Sequence, residues 1–389
     1  MRWLPLSLSL LAVAAPCAAE TALNVTYLRL ESPPVPVLSN LDPIPEDDGI
    51  AGAKLGQSDN ATTGKFLGQS YSMTVQSVPP GGDIAAAAKA ALAASPFLIL
   101  DAEAAAVLTV ADLSEAKGAL ILSVAAPDTR LRDADCRANV LHTSASYDMR
   151  ADALMQVLLT KRWTKLALIT GPRPADKDWG AALRASVAKF GLELVGEKDW
   201  TERADLRRSA ASEVSLFTQD LPDHDVLLIA DESDDFARYV AFNTWLPRPV
   251  AGSEGMVPAG WSPTLEQWGA VQLQDRFKEG AKRPMRPRDY AAWVAMRTLG
   301  EALTRTGSTD PAVIRGYVLS DEFELDGFKG RPLSYRNWNG ELRQPLPVAQ
   351  PRALVTLAPV EGFLHEYNEL DTLGRDRRES ACGAFGETQ

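Results

Sequence analysis

The stretch KLALITGPRPADKDWGAALRASVAKFG, Lys165 to Gly191, decides the fold class. It opens with the apolar run Leu166-Ala167-Leu168-Ile169, the pattern of a strand buried on both faces. The polar turn Gly171 to Asp178 follows, and a helix starts near Trp179 with Leu183, Val187 and Phe190 on one face. Gly191 ends that helix, and Leu192 to Val195 begins another strand. The unit is strand, helix, strand. Open sheets built from such units bind ligands beyond the carboxyl ends of their strands, so function is sought in the strand-to-helix loops.

The same grammar extends in both directions. Towards the N-terminus, strands are expected at Leu23–Leu30, Phe66–Val78, Pro96–Leu100, Ala119–Val124 and Asn139–Thr143. Helices are expected at Gly49–Asp59, Ile84–Ala94 with Asp83 as its cap, Ala104–Ala116 and Arg150–Arg162. Glu31 to Asp48 holds Pro33, Pro34, Pro36, Pro43 and Pro45 and reads as a stiff loop, and Asn60 to Gly68 reads as a turn. Beyond the opening stretch, Leu206–Leu221 and Ser233–Leu246 read as helices, Asp225–Ala230 and Pro249–Gly252 as strands. Thr264–Gly280, Arg288–Arg305 and Asp310–Ser320 read as helices, and Gly340–Pro347 with Arg352–Ala358 as a closing hairpin. Two such runs make an α/β protein with parallel sheets. The expected division is one lobe at 20–145, completed by about 288–389, and a second at 146–287.

Composition narrows the function classes. The 389 residues are 46% hydrophobic and 23% charged, and the formal charge of −11 argues against a nucleic-acid partner. Residues 1–19 read as a secretory signal peptide: Arg2 supplies a positive charge, Leu4 to Ala15 an apolar core, and Cys17-Ala18-Ala19 small residues before cleavage. Cys17 has an alternative reading as a lipoprotein cysteine. Export leaves Cys136 and Cys382, and in an oxidising compartment an isolated pair is expected to form a disulfide that ties the C-terminal tail to the N-terminal half.

A search for catalytic groups finds no constellation. The phosphate loop is absent, Ala251 to Gly255 lacks the glycine spacing of a nucleophile elbow, and His365-Glu366 lacks a second histidine four residues on. His142 and His224 read as structural. The acidic cluster Asp231, Glu232, Asp234 and Asp235 stands at a helix start and reads as capping charge, with a cation site as the alternative. No enzyme, no catalytic residues, no metal ligands and no catalytic cofactor are expected.

Four segments carry a resemblance: DNATTGKFLGQ (Asp59–Gln69), HTSAS with ALMQVLLTKRW (His142–Trp163), ADESDDFARY (Ala230–Tyr239) and TWLPRPVAGSEGMVPAGWSPTLEQWGAVQLQDRF (Thr244–Phe277). With the exported two-lobed layout, the chain resembles type I periplasmic substrate-binding proteins of ABC transporters. The segments are similar to the branch associated with dehydrogenases of alcohols that depend on pyrroloquinoline quinone (PQQ). The resemblance implies the two-lobed type I periplasmic-binding-protein fold with a cleft between lobes, a periplasmic location, and a monomer. Implied partners are an inner-membrane ABC permease and a PQQ-dependent alcohol dehydrogenase. The implied ligand is PQQ, and the alternative is a branched-chain or aromatic amino acid or another small carboxylate.

PQQ is a flat ring system with three carboxylates, so its receptor needs aromatic walls and cations. Nine tryptophans are present. Trp179, Trp245 and Trp261 lie in or beside expected crevice loops, whereas Trp268 and Trp293 read as helix packing. Arg130, Arg173 and Lys177 supply cations in crevice loops, and Lys177 carries an amine able to add reversibly to a quinone. Ser146 and Ser253, with Ser123 and Ser144, supply hydroxyls for a carboxylate. Each of these has a plainer reading, core packing for the indoles and solvated surface for the charges.

Overall fold

The computed structural model describes residues 20–33, 44–201 and 206–386. The signal peptide expected at residues 1–19 and much of the proline-rich loop, residues 34–43, lie outside the described residues.

In the first half, strands and helices alternate as β1 (Thr21–Leu30), α1 (Ile50–Leu67), β2 (Gln69–Val78), α2 (Ile84–Ala94), β3 (Phe97–Asp101), α3 (Ala104–Ala111), β4 (Leu120–Ser123) and β5 (Val140–His142). The strands form a parallel sheet in the order β2-β1-β3-β4-β5. The second half continues with α4 (Tyr147–Thr160), β6 (Lys165–Thr170), α5 (Pro174–Lys189), β7 (Glu193–Asp199), α6 (Leu206–Thr218), β8 (Val226–Ala230), α7 (Ala237–Val240) and β9 (Val250–Gly252). These strands form a second parallel sheet in the order β7-β6-β8-β9. The remainder is β10 (Val257–Pro258), α8 (Ala270–Ala281), α9 (Pro287–Thr306), α10 (Pro311–Val318), β11 (Ser334–Tyr335), β12 (Leu342–Arg343), β13 (Leu346–Gln350) and β14 (Ala353–Ala358).

Three crossings join the lobes, and the cores date each one. His142 ends a first-lobe strand, while Ala145 and Tyr147 pack in the second-lobe core. Met256 belongs to the second core and Trp261 to the first. Leu342 belongs to the first and Leu346 to the second. The middle crossing therefore falls at 257–260, not at 287 as the sequence suggested. Leu273 and Phe277 of α8 bury their apolar stripe in the first lobe, beside Trp293 of α9.

Local chemistry explains where elements differ from expectation. Asn60 to Gly68 read as a turn because Asn, Thr and Gly are poor helix formers. The structure runs α1 straight through to Leu67. Gly52, Gly56, Asn60 and Gly64 recur every four residues and are buried along one face. A methyl on Gly52 would lie 1.8 Å from the Asp289 carbonyl oxygen, and one on Gly56 would lie 2.8 Å from Met296 Cβ, both on α9. The stripe lets two helix backbones touch, and the Asn60 amide closes the contact on the Met296 carbonyl.

The helix expected from Thr264 starts only at Ala270, because Trp268 (φ 53°) and Gly269 (φ 79°) sit in the left-handed region. The helix expected at Ser233–Leu246 shrinks to α7. The closing hairpin forms from β13 and β14, while β12 pairs with β11 instead. Cys136 and Cys382 form the expected disulfide. It anchors a tail that also touches the second lobe, through Lys189 on the Gly374 carbonyl and Glu379, and Asp152 on the Gly374 amide.

Candidate functional site

A cleft of about 360 Å³ opens between the lobes, at the carboxyl ends of both sheets. The loop after β4 contributes Val124, Ala125 and Pro127, and the crossing after β5 contributes Thr143, Ser144 and Ala145. Arg132 holds those two loops together from behind. Its buried guanidinium donates to the Ala126 and Asp128 carbonyls and to both the carbonyl and hydroxyl of Ser144. The second lobe contributes Arg150 from the first turn of α4 and Glu232 from the loop after β8.

Arg150 and Glu232 form a two-pronged ion pair at 2.8 and 2.9 Å. Arg150 also donates to the Pro258 carbonyl, 3.1 Å away, and lies 4.5 Å over the Trp179 ring. Burial pulls its pKa down, and the Glu232 charge and hydrogen bonds more than offset that, so it is held above the ordinary arginine value. Ser253 braces the pair, accepting from the Asp231 amide at 2.9 Å and facing Glu232 at 3.5 Å. Asp231 itself accepts from the amides of Asp235, Phe236 and Ala237, so the capping reading holds for that residue.

The first-lobe wall is cationic. Arg286 and Arg288 flank Pro287 at the start of α9 and are half-exposed. Their acidic partners stand back, Asp48 at 3.7 Å from Arg286 and Asp101 at 3.4 Å from Arg288. Asp101 already accepts from Tyr27 and Arg29. Asp48 is buried, and its Oδ1 has no hydrogen-bond partner among the described residues. Burial, then the neighbouring Asp289 charge, raises its pKa above the usual carboxylate value. Such a wall can take a carboxylate between the arginines, and an ammonium at Asp48.

Of the residues picked from the sequence, Ser144 lines this cleft, whereas the three tryptophans, the three cations, Ser123, Ser146 and Ser253 do not. Trp179 and Trp261 lie directly behind it. Each is almost wholly buried, Trp179 stacked on Tyr147 behind Arg150 and Trp261 stacked on Tyr290, which does line the cleft. They set the positions of cleft residues instead of forming its walls, because an indole this large is more stable in a core than at a solvated edge. Trp245 is 58% exposed on the second lobe, with its amide bonded to Thr218. Arg173 pairs with Asp235 at 2.7 Å, and Arg130 with Asp135 at 3.0 Å. Lys177 is exposed on α5. Ser146 caps α4 by accepting from the Met149 amide.

Sequence reasoning passed over Arg150, Glu232, Arg286, Arg288 and Tyr290. In the sequence, Arg150 and Arg288 stand as ordinary helix-starting residues and Glu232 as capping charge. The available signal was the Arg286-Pro287-Arg288 triplet, two cations around a helix-initiating proline.

The comparisons with known proteins agree with this fold. Residues 52–214 match the family described as periplasmic binding protein. A solved branched-chain amino acid ABC transporter periplasmic ligand-binding protein from Burkholderia xenovorans superposes with a TM-score of 0.69 at 14% identity, covering 94% of this chain and 100% of that one. The fold is that of the two-lobed type I periplasmic binding proteins. A leucine-, isoleucine-, valine-, threonine- and alanine-binding protein from Brucella ovis superposes at 0.66 with 16% identity, covering 85% and 90%. A solute-binding protein from R. palustris in complex with benzoate does so at 0.64 with 13% identity, covering 93% and 99%. No curated protein sequence matches the chain.

Proposed function

We propose that this protein is a periplasmic solute-binding protein of an ABC importer, and that it captures an amino acid or a similarly small carboxylate between its lobes. The observation that carries the reading is the cleft itself. It lies at the strand ends of both lobes, with two half-exposed arginines facing a closed arginine–glutamate pair. Its volume, about 360 Å³, is near the low end of the roughly 300–1,000 Å³ typical of ligand sites. The printed names of the structural neighbours, amino acid and benzoate receptors among them, support the same class. An inner-membrane permease is the partner this role requires, and lobe closure about the three crossings is its motion.

PQQ, with delivery to a quinoprotein dehydrogenase, rests on the sequence resemblance alone. Among the described residues, no indole lines the cleft to supply the walls that it needs. Thermal-shift titration of the mature protein with L-leucine, L-isoleucine, benzoate and PQQ separates the two readings. A ligand in hundredfold excess over its Kd stabilises by about 2.7 kcal/mol, a clear rise in Tm. A rise with a small carboxylate and none with PQQ is expected; a rise with PQQ alone overturns the choice of ligand.

A further inference from the structure

Lys329 is a charged group beside the cleft that the site description has not used. Its side chain is fully buried. The loop that carries it, Asp326-Gly327-Phe328-Lys329-Gly330, adopts left-handed backbone at Phe328 (φ 55°) and Gly330 (φ 78°). A bulky residue in that region is strained, so the surrounding packing fixes the turn that drives Lys329 inward. Its Nζ donates to the Gly260 carbonyl at 2.9 Å and to Gln344 Oε1 at 2.8 Å, and lies 4.2 Å from the centre of the Tyr290 ring. Gly260, Gln344 and Tyr290 all line the cleft. The amine is thus one residue's thickness below the cleft floor.

No carboxylate pairs with it among the described residues. Asp326, on its own loop, is exposed. The Tyr290 hydroxyl is spent on the Gly327 carbonyl. Gln344 is neutral and donates to the Thr143 carbonyl; the adjoining His142 is itself held neutral by burial. Arg343 is committed to Asp371. In the cleft, Arg286 and Arg288 add positive charge beside Asp48, and across it Glu232 is closed on Arg150. Its approach to the face of an aromatic ring is the geometry of an ammonium ion, and a buried ion without a counter-charge is costly. Burial holds that ammonium well below the ordinary lysine range.

We propose that Lys329 is the charge-reading residue of the cleft, and that the carboxylate of the bound solute is its missing counter-charge. The inference rests on the small-carboxylate reading and deepens it: the cleft selects for an anionic group through a buried cation that the ligand need not touch. A bound anion favours the protonated amine, so protons are taken up on binding. Affinity is greatest below the free-state pKa of Lys329 and declines as pH rises through the pKa of the complex. In the folded ligand-free protein the depressed pKa means that this lysine opposes stability below its unfolded pKa.

The test uses the mature protein and its Lys329→Met variant, with L-leucine and benzoate as probes beside their amides, leucinamide and benzamide. The wild type is expected to prefer each carboxylate to its amide, and the variant to bind the carboxylates at least about tenfold more weakly with the preference reduced. The ligand-free variant should also melt higher at neutral pH, which a purely structural lysine would not allow. Calorimetry of the wild type in two buffers of different ionisation enthalpy, repeated across pH values below the ordinary lysine range, should find proton uptake, a readout independent of how the variant folds. An unchanged carboxylate-to-amide ratio in the variant, or no proton uptake at any of these pH values, overturns the role of Lys329 while leaving the receptor reading intact. Failure of the wild type to bind any carboxylate overturns both.

Discussion

His142 shows how a single buried side chain sets a pH limit. It ends β5, is fully enclosed, and its Nδ1 finds no partner among the described residues. Burial, with the Arg132 charge second, holds its pKa well below the ordinary histidine value. The unfolded chain takes up a proton near pH 6.5 and the folded chain does not, so stability is lost as pH falls below that point. The loss should approach about 1.4 kcal/mol per pH unit until the folded-state pKa is reached. Denaturant melts of wild type and His142→Gln between pH 7 and about 4.5 check this: the variant should show a shallower acid decline. Equal slopes would place the acid sensitivity elsewhere.

At the scale of elements, the contact of α1 with α9 positions the cationic wall. Asp289, on the first turn of α9, accepts from the Gly49 amide and from Arg283, and so fixes the helix start between Arg286 and Arg288. The glycine stripe of α1 allows that approach. Gly52→Ala would put a methyl into the Asp289 backbone and should cost roughly 2–3 kcal/mol or more, as overpacking does. Gly280→Ala in α8 meets nothing within 4 Å and should stabilise by about 0.5–1 kcal/mol, the ordinary helix gain over glycine. Opposite signs in urea denaturation are the expected result. The element boundaries were readable from the sequence wherever hydrophobic period and turn chemistry agreed, as in α2 and its Asp83 cap. They were misread in α1, because small residues that favour turns locally were selected for helix contact with a segment more than 200 residues away.

At the scale of the molecule, the C-terminal tail straps both lobes, with Leu373 in the second-lobe core and Phe385 packed against the first. Arg375 pairs with Asp133 of the first lobe and Asp148 of the second, and the disulfide closes a loop of sequence separation 246. A cross-link over so long a loop stabilises by about 2–5 kcal/mol, mainly by restricting the unfolded chain. The double variant Cys136→Ser/Cys382→Ser, or the reduced protein, should lose that amount with the cleft's ligand preference unchanged. Differential scanning calorimetry with and without ligand measures both; an unchanged Tm would show that the ion pairs alone hold the strap.

The alternation of apolar strands with amphipathic helices determined the α/β class and the two parallel sheets, since a period of burial is a local property of the chain. The cysteine pair was equally legible, because two such residues in a chain expected to be exported have few other uses. The cleft was not. Trp179 and Arg150 sit in neighbouring helices, and only their packing decided that the indole would be the support and the guanidinium the surface. Nothing in the sequence around Lys329 sets it apart from a surface lysine; contacts with Gly260, Gln344 and Tyr290 hold it inside. Which side of a core a residue faces is fixed by long-range packing, and periodicity carries no record of it.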